Sequence, residues 1–246
     1  MFATNTGNPV LNEHTFDYNQ ALPATGTMTI EGTINKTFIL LFLVVVGALF
    51  VWANPIKYLP FMMPIGILTL IMAVVIAFKH NLVGYIAPAY AVMQGAFLGV
   101  VSSLLEKQFP GIAVQAVGGT MGTLFCILLA YRSGYIKATQ KFKLIVMSAT
   151  GALMLIYLVS FIMSMFGKNM GFITGGGIIG IGFSIFVCGL AAMNLVLDFD
   201  MIEQGVEQRA PSYMEWYGAF ALMVTLVWLY IEILRLLAKL RSDKDR

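Results

Sequence analysis

The run Asp198-Phe-Asp200-Met-Ile-Glu203 is the part of this chain best equipped for chemistry: it sets three carboxylates where a long apolar stretch ends. Six of the twelve acids fall between Asp198 and Glu232, whereas Glu106 stands alone between Thr33 and Leu197. Ionised carboxylates are costly near a bilayer core, so acids there mark ion or proton sites. On a helix, Asp200 and Glu203 are neighbours three apart, while Asp198 and Asp200 face about 160° apart. One of that pair can point into a bundle while the other meets water. Asp198 directly follows Asn194-Leu-Val-Leu197, but Glu203 and Glu207 read as the solvated mouth of a loop. Glu232 lies deep in Leu226–Leu237 with Arg235 three residues on. Two readings stand for it: an i,i+3 ion pair with a snorkelling arginine, or a role facing the bundle interior. Glu215 opens the same segment beside Trp216 and Tyr217, rings suited to an interfacial belt. The candidate ion- or pH-sensing residues are therefore Asp198, Asp200, Glu232 and Glu215, with Asp198 as the candidate Ca²⁺ ligand.

The elements that must position these residues are membrane helices. Hydrophobic residues make up 59% of the chain and charged residues 11%, against about half and about a quarter in a soluble domain. A crossing helix needs about 20 apolar residues. Seven stretches qualify: Thr37–Ala53, Tyr58–Phe78, Leu82–Leu105, Ile112–Tyr131, Leu144–Phe166, Gly171–Leu197 and Met214–Leu237. Most links are a few residues long, so neighbours run antiparallel, and the fold class is an all-α seven-helix transmembrane bundle. Residues 1–35 read as a polar, mostly flexible tail without a cleavable signal, residues 36–240 as the transmembrane domain and residues 241–246 as a charged C-terminal tail. The two longer links are the basic Arg132–Lys143 and the acidic Asp198–Tyr213.

Orientation is less constrained than span count. Seven crossings place seven basic residues on one face and eight on the other, which the positive-inside rule does not separate. The compact Arg132–Lys143 loop is the best cytoplasmic marker, and it carries the acidic link to the same side. The basic C-terminal tail then lies outside unless the last segment fails to cross. Gly95 with Gly99, Gly118 with Gly122, and Gly176 with Gly180 have the spacing that lets helices approach closely. Each pair reads as packing within the chain, with a dimer seam as the alternative. Gly175-Gly176-Gly177 reads as a hinge or as a helix boundary.

Other chemistries find little support. Cys126 and Cys188 sit singly in apolar runs, and His14 and His80 are far from them in sequence, so no zinc pattern is visible. A net charge of +3, scattered along the chain, does not suggest nucleic acid. No Ser/His set and no second aspartate in another apolar run suggests intramembrane hydrolysis, so the expectation is a protein that is not an enzyme and carries no cofactor. An inverted-repeat carrier lacks a visible repeat.

The acidic stretch resembles the end of the Bax-inhibitor family, also called the transmembrane Bax inhibitor motif family. The resemblance rests on Leu197-Asp198-Phe-Asp-Met-Ile202, the link to Tyr213, and Leu229-Tyr-Ile-Glu-Ile-Leu-Arg-Leu-Leu237, with Gln94-Gly-Ala-Phe-Leu-Gly99 in the third segment. It covers nearly everything after residue 36 and looks most like the bacterial, YccA-like branch. The resemblance implies a bundle with a central last helix that leaks Ca²⁺ in a pH-dependent way. It also implies an aspartate pair, on the sixth and seventh segments, that shares a proton. Asp198 matches the first partner. The second falls near Thr225 or Met223, neither acidic, and Thr69 stands near the place of another family acid. The expected function is a multi-pass protein of the cell membrane, in bacteria the inner membrane, whose partners are the lipid bilayer and Ca²⁺ or another cation. The alternative is a non-conducting factor that binds another membrane protein, such as a quality-control protease, through its polar N-terminal tail.

Overall fold

Uninterrupted apolar runs leave their backbone amides no water to bond, so each must satisfy them internally as a helix. The computed structural model describes residues 26–167, 175 and 177–244. Its seven long helices are α1 (Ile30–Trp52), α2 (Met62–Phe78), α3 (Val83–Gln108), α4 (Ile112–Arg132), α5 (Gln140–Met165), α6 (Ile178–Glu207) and α7 (Met214–Lys244). All seven spans are long and apolar enough to cross a membrane, so this is an all-α, multi-pass membrane protein. A short helical turn, Pro55–Tyr58, and a 3₁₀ turn, Leu59–Phe61, lead into α2.

The last helix is the axis. α7 packs against α1, α3, α4 and α6, while α2 leans on α3 and α5 on α6 at the periphery. Met223, Leu229 and Leu234 of α7 are among the most deeply buried side chains. The α1–α3 seam is closest: a Cβ on Gly95 would strike the Val44 carbonyl, and one on Gly99 the Ala48 carbonyl. Gly47 approaches the Val92 carbonyl in return. That pair of glycines packs within the chain, as its spacing suggests.

Three features differ from the sequence reading. Helix α1 begins at Ile30, inside the stretch read as tail, because Thr29 caps it by accepting from Gly32 N at 3.0 Å. Residues 1–25 of the tail lie outside the described residues. Helix α6 runs three turns past Leu197 to Glu207, so most of the expected acidic link is helix, with only residues 208–213 left as the turn. Gly118 and Gly122 face open space and pack against nothing in the described chain. It is Gly119, between them, that meets Ile233 of α7. Gly177, at φ +93°, is the boundary residue immediately before α6, while Gly176 lies outside the described residues.

Candidate functional site

Asp198 sits nine residues before the end of α6 at Glu207, about 14 Å of helix at about 1.5 Å per residue. Thr225 lies a comparable distance into α7, eleven residues after Met214. The two helices are antiparallel and packed, which brings these positions to the same depth, and the Thr225 side chain hydrogen-bonds the Asp198 carboxyl. The other oxygen, Oδ2, is buried without any hydrogen-bond partner among the described residues. Nearly all buried polar atoms in proteins are paired, so one left over calls for an explanation. One turn earlier, Asn194 Nδ2 donates to Thr150 Oγ1 of α5 and to Leu190 O, both at 2.9 Å. That contact fixes the rotation of α6 just before the aspartate.

The other candidate ion- or pH-sensing residues are held elsewhere. Glu232 is 2% exposed. It accepts from Tyr157 Oη of α5 at 2.9 Å and from Arg235 Nη1 at 3.1 and 3.2 Å. The guanidinium also lies 5.5 Å from the Tyr157 ring. Glu232 pairs with Arg235 three residues on, and the pair lies inside the bundle, where Tyr157 joins it. Lys239, one turn beyond Arg235, is also buried and donates to Gly180 O and Ser184 Oγ of α6, each at 3.0 Å. Glu232, Arg235 and Lys239 thus form a polar stripe at helical spacing down one side of α7.

Glu215 is part of a clamp. It accepts from Thr29 N at 2.9 Å, from Thr29 Oγ1 at 2.8 Å, and from Lys36, which pairs with it. Gly32 lies against its carboxylate so closely that no side chain would fit. The clamp continues as Thr27 pairs antiparallel with Pro211 and Met28 N donates to Ala210 O at 2.7 Å, which ties the start of α1 to the turn between α6 and α7.

Asp200 faces away from Asp198, as the helical angle requires, and pairs with Lys143 Nζ of α5 at 2.5 Å. Gln204 Nε2 donates to the same Asp200 oxygen at 2.6 Å. Glu203 takes the Tyr131 hydroxyl of α4 at 2.5 Å. Glu106 caps α4 by accepting from Gly111 N at 2.5 Å and Ala113 N at 2.9 Å, a structural role. Thr69 is buried and bonds the Gly66 carbonyl of its own helix at 3.0 Å.

Among the described residues, then, no carboxylate reaches Asp198, and no group of three metal-ligating side chains converges. The resemblance put the position facing Asp198 near Thr225 or Met223, and of the two it is Thr225 whose side chain bonds the carboxyl. The sequence reading did not single out Tyr157, Ser184 or Lys239. The spacing of Glu232, Arg235 and Lys239 was the available signal for Lys239, whereas Tyr157 and Ser184 come from other helices and leave none. No curated protein and no solved structure matches the chain. A family model described as Bax inhibitor 1 like matches residues 8–242. With a match over nearly the whole length, seven membrane-spanning helices and an aspartate on α6 facing the central last helix, the chain belongs to the Bax inhibitor 1 like family.

Proposed function

We propose that this protein is a pH-sensitive cation leak of the cell membrane, in bacteria the inner membrane, with Ca²⁺ as the conducted ion and Asp198 as the titrating group. The observation that carries this reading is the buried Oδ2 of Asp198, without a hydrogen-bond partner among the described residues and about 14 Å inside the end of α6. An ionised carboxylate there attracts a cation, and a protonated one does not. Asp198 and Thr225 together offer far fewer than the six to eight oxygens a tight Ca²⁺ site needs. Weak, transient coordination suits passage rather than storage.

The sign of the pH response follows from the single carboxylate. Ca²⁺ flux into liposomes reconstituted with the protein should fall as pH is lowered through the titration of Asp198. Asp198→Asn should hold the low-pH rate at every pH. An unchanged flux and pH profile in that variant would remove the basis of the proposal. A wild-type protein that conducts at no pH would favour the non-conducting partner-binding role instead.

A further inference from the structure

A second feature lies beside the aspartate and is used by none of the chemistry above. Helices α1 and α4 flank α7 without closing over it, leaving a groove of about 960 Å³ whose floor includes Leu222 and Leu226 of α7. That volume is at the upper end for small-molecule sites. The walls are apolar, and the two threonines in them, Thr33 and Thr37, spend their hydroxyls on carbonyls of their own helix. The sides open toward the bilayer: Phe38 of α1 is 68% exposed and Leu128 of α4 is 43% exposed.

The mouth has an asymmetric charge. Its two acids are engaged, Asp200 by Lys143 and Glu203 by Tyr131. Its two cations, Arg132 and Lys137, are exposed and have no acidic partner among the described residues. A long apolar slot with free positive charge at the end where the membrane helices stop complements one kind of molecule, with an acyl chain below an anionic headgroup.

We infer that this groove binds an anionic bilayer phospholipid, its acyl chain lying between α1 and α4 and its phosphate held by Arg132 and Lys137. The bound chain contacts Ile202 and Leu226, next in sequence or one turn from the Asp198–Thr225 contact, so lipid occupancy and the packing of α6 on α7 are mechanically linked.

The test is native mass spectrometry of the full chain released from micelles containing equal amounts of phosphatidylglycerol and phosphatidylcholine with identical acyl chains. The wild type should retain one phosphatidylglycerol with at least a fivefold preference. Arg132→Gln with Lys137→Gln should bring that preference close to unity, whereas Lys57→Gln with Lys107→Gln should preserve it. Leu128→Trp, which fills the groove from an exposed position, should lower retention of both lipids. Absence of preference in the wild type, its survival in the Arg132/Lys137 double variant, or undiminished retention in Leu128→Trp would overturn the inference. A rise in retained lipid on deleting residues 1–25 would overturn it too, by identifying that segment as the occupant.

Discussion

At the scale of single residues, Asp198 is paired with Thr225 where the resemblance implies a second aspartate. A hydroxyl can donate one hydrogen bond to the carboxyl but cannot share its proton. Restoring the second acid is the direct probe. Two carboxyls in contact titrate as a pair with two macroscopic steps, so Thr225→Asp should convert a one-step dependence of flux on pH into two steps. Asp198→Asn in that background should return it to one. A pH series of flux on the wild type and these two variants checks this. The neighbouring cluster makes a different prediction, about stability. Glu232→Ala removes the carboxylate that accepts from both Tyr157 and Arg235, leaving Arg235 only the Tyr157 hydroxyl, and since Arg235 is partly exposed, the loss should be about 1–3 kcal/mol. Tyr157→Phe removes the bond the hydroxyl donates to Glu232 and the one it accepts from Arg235, but it leaves the Glu232–Arg235 pair and should cost about 1 kcal/mol. Thermal unfolding in detergent orders the two. Asp198 was legible in the sequence because an acid at the end of an apolar run is rare. The fate of Glu232 was legible only in part, because Arg235 is local in sequence while Tyr157 arrives from α5.

At the scale of elements, span count and order could be read because hydropathy is a local property, but helix ends depend on neighbours. Helix α1 starts early because Thr29 supplies a cap and Glu215, 186 residues away, holds it. Helix α6 continues past Leu197 because Asp200 and Glu203 find partners on α5 and α4, so polar residues that looked like a loop are stabilised as helix. The glycine pairs teach the same point, since equal spacing carries unequal meaning. Gly95 stands against the α1 backbone, and Gly95→Val must push two helices apart, an overpacking cost of about 1–3 kcal/mol or more. Gly118 has nothing within 4 Å of its missing Cβ, so Gly118→Ala should leave the thermal midpoint unchanged or raise it by the better helix propensity of alanine, about 0.5–1 kcal/mol. A Gly118→Ala loss as large as that of Gly95→Val would contradict the assignment of the seam.

At the scale of the whole molecule, the arrangement bears on orientation, where counting charges reaches a tie. Helix α7 has 31 residues, about 46 Å at about 1.5 Å per residue, against a hydrocarbon core of about 30 Å. It is long enough to cross completely, so the two ends of the seven-helix bundle lie on opposite sides. The basic residues at those ends are not equally free. On the C-terminal side Arg235 is paired with Glu232, Lys239 is buried against α6, and Arg241 donates to Pro110 O at 2.7 Å and Gln115 Oε1 at 2.9 Å. On the other side Lys36 and Lys143 are paired with acids, while Arg132 and Lys137 stand unpaired on a short loop. Exposed cations without an acidic partner pull hardest on anionic headgroups. Among the described residues these are Lys57 and Lys107 on the C-terminal side, against Lys79, Arg132, Lys137, Lys141 and Arg209 on the other, so they should decide the tie and put the α4–α5 loop in the cytoplasm. Tyr135, at the tip of that loop and 91% exposed, is the position to test. In a background of Cys126→Ser and Cys188→Ser, Tyr135→Cys should resist a membrane-impermeant maleimide in intact cells and react in inverted vesicles. Labelling from the outside would reverse the orientation and place both the acidic end of α6 and the mouth of the groove on the external face.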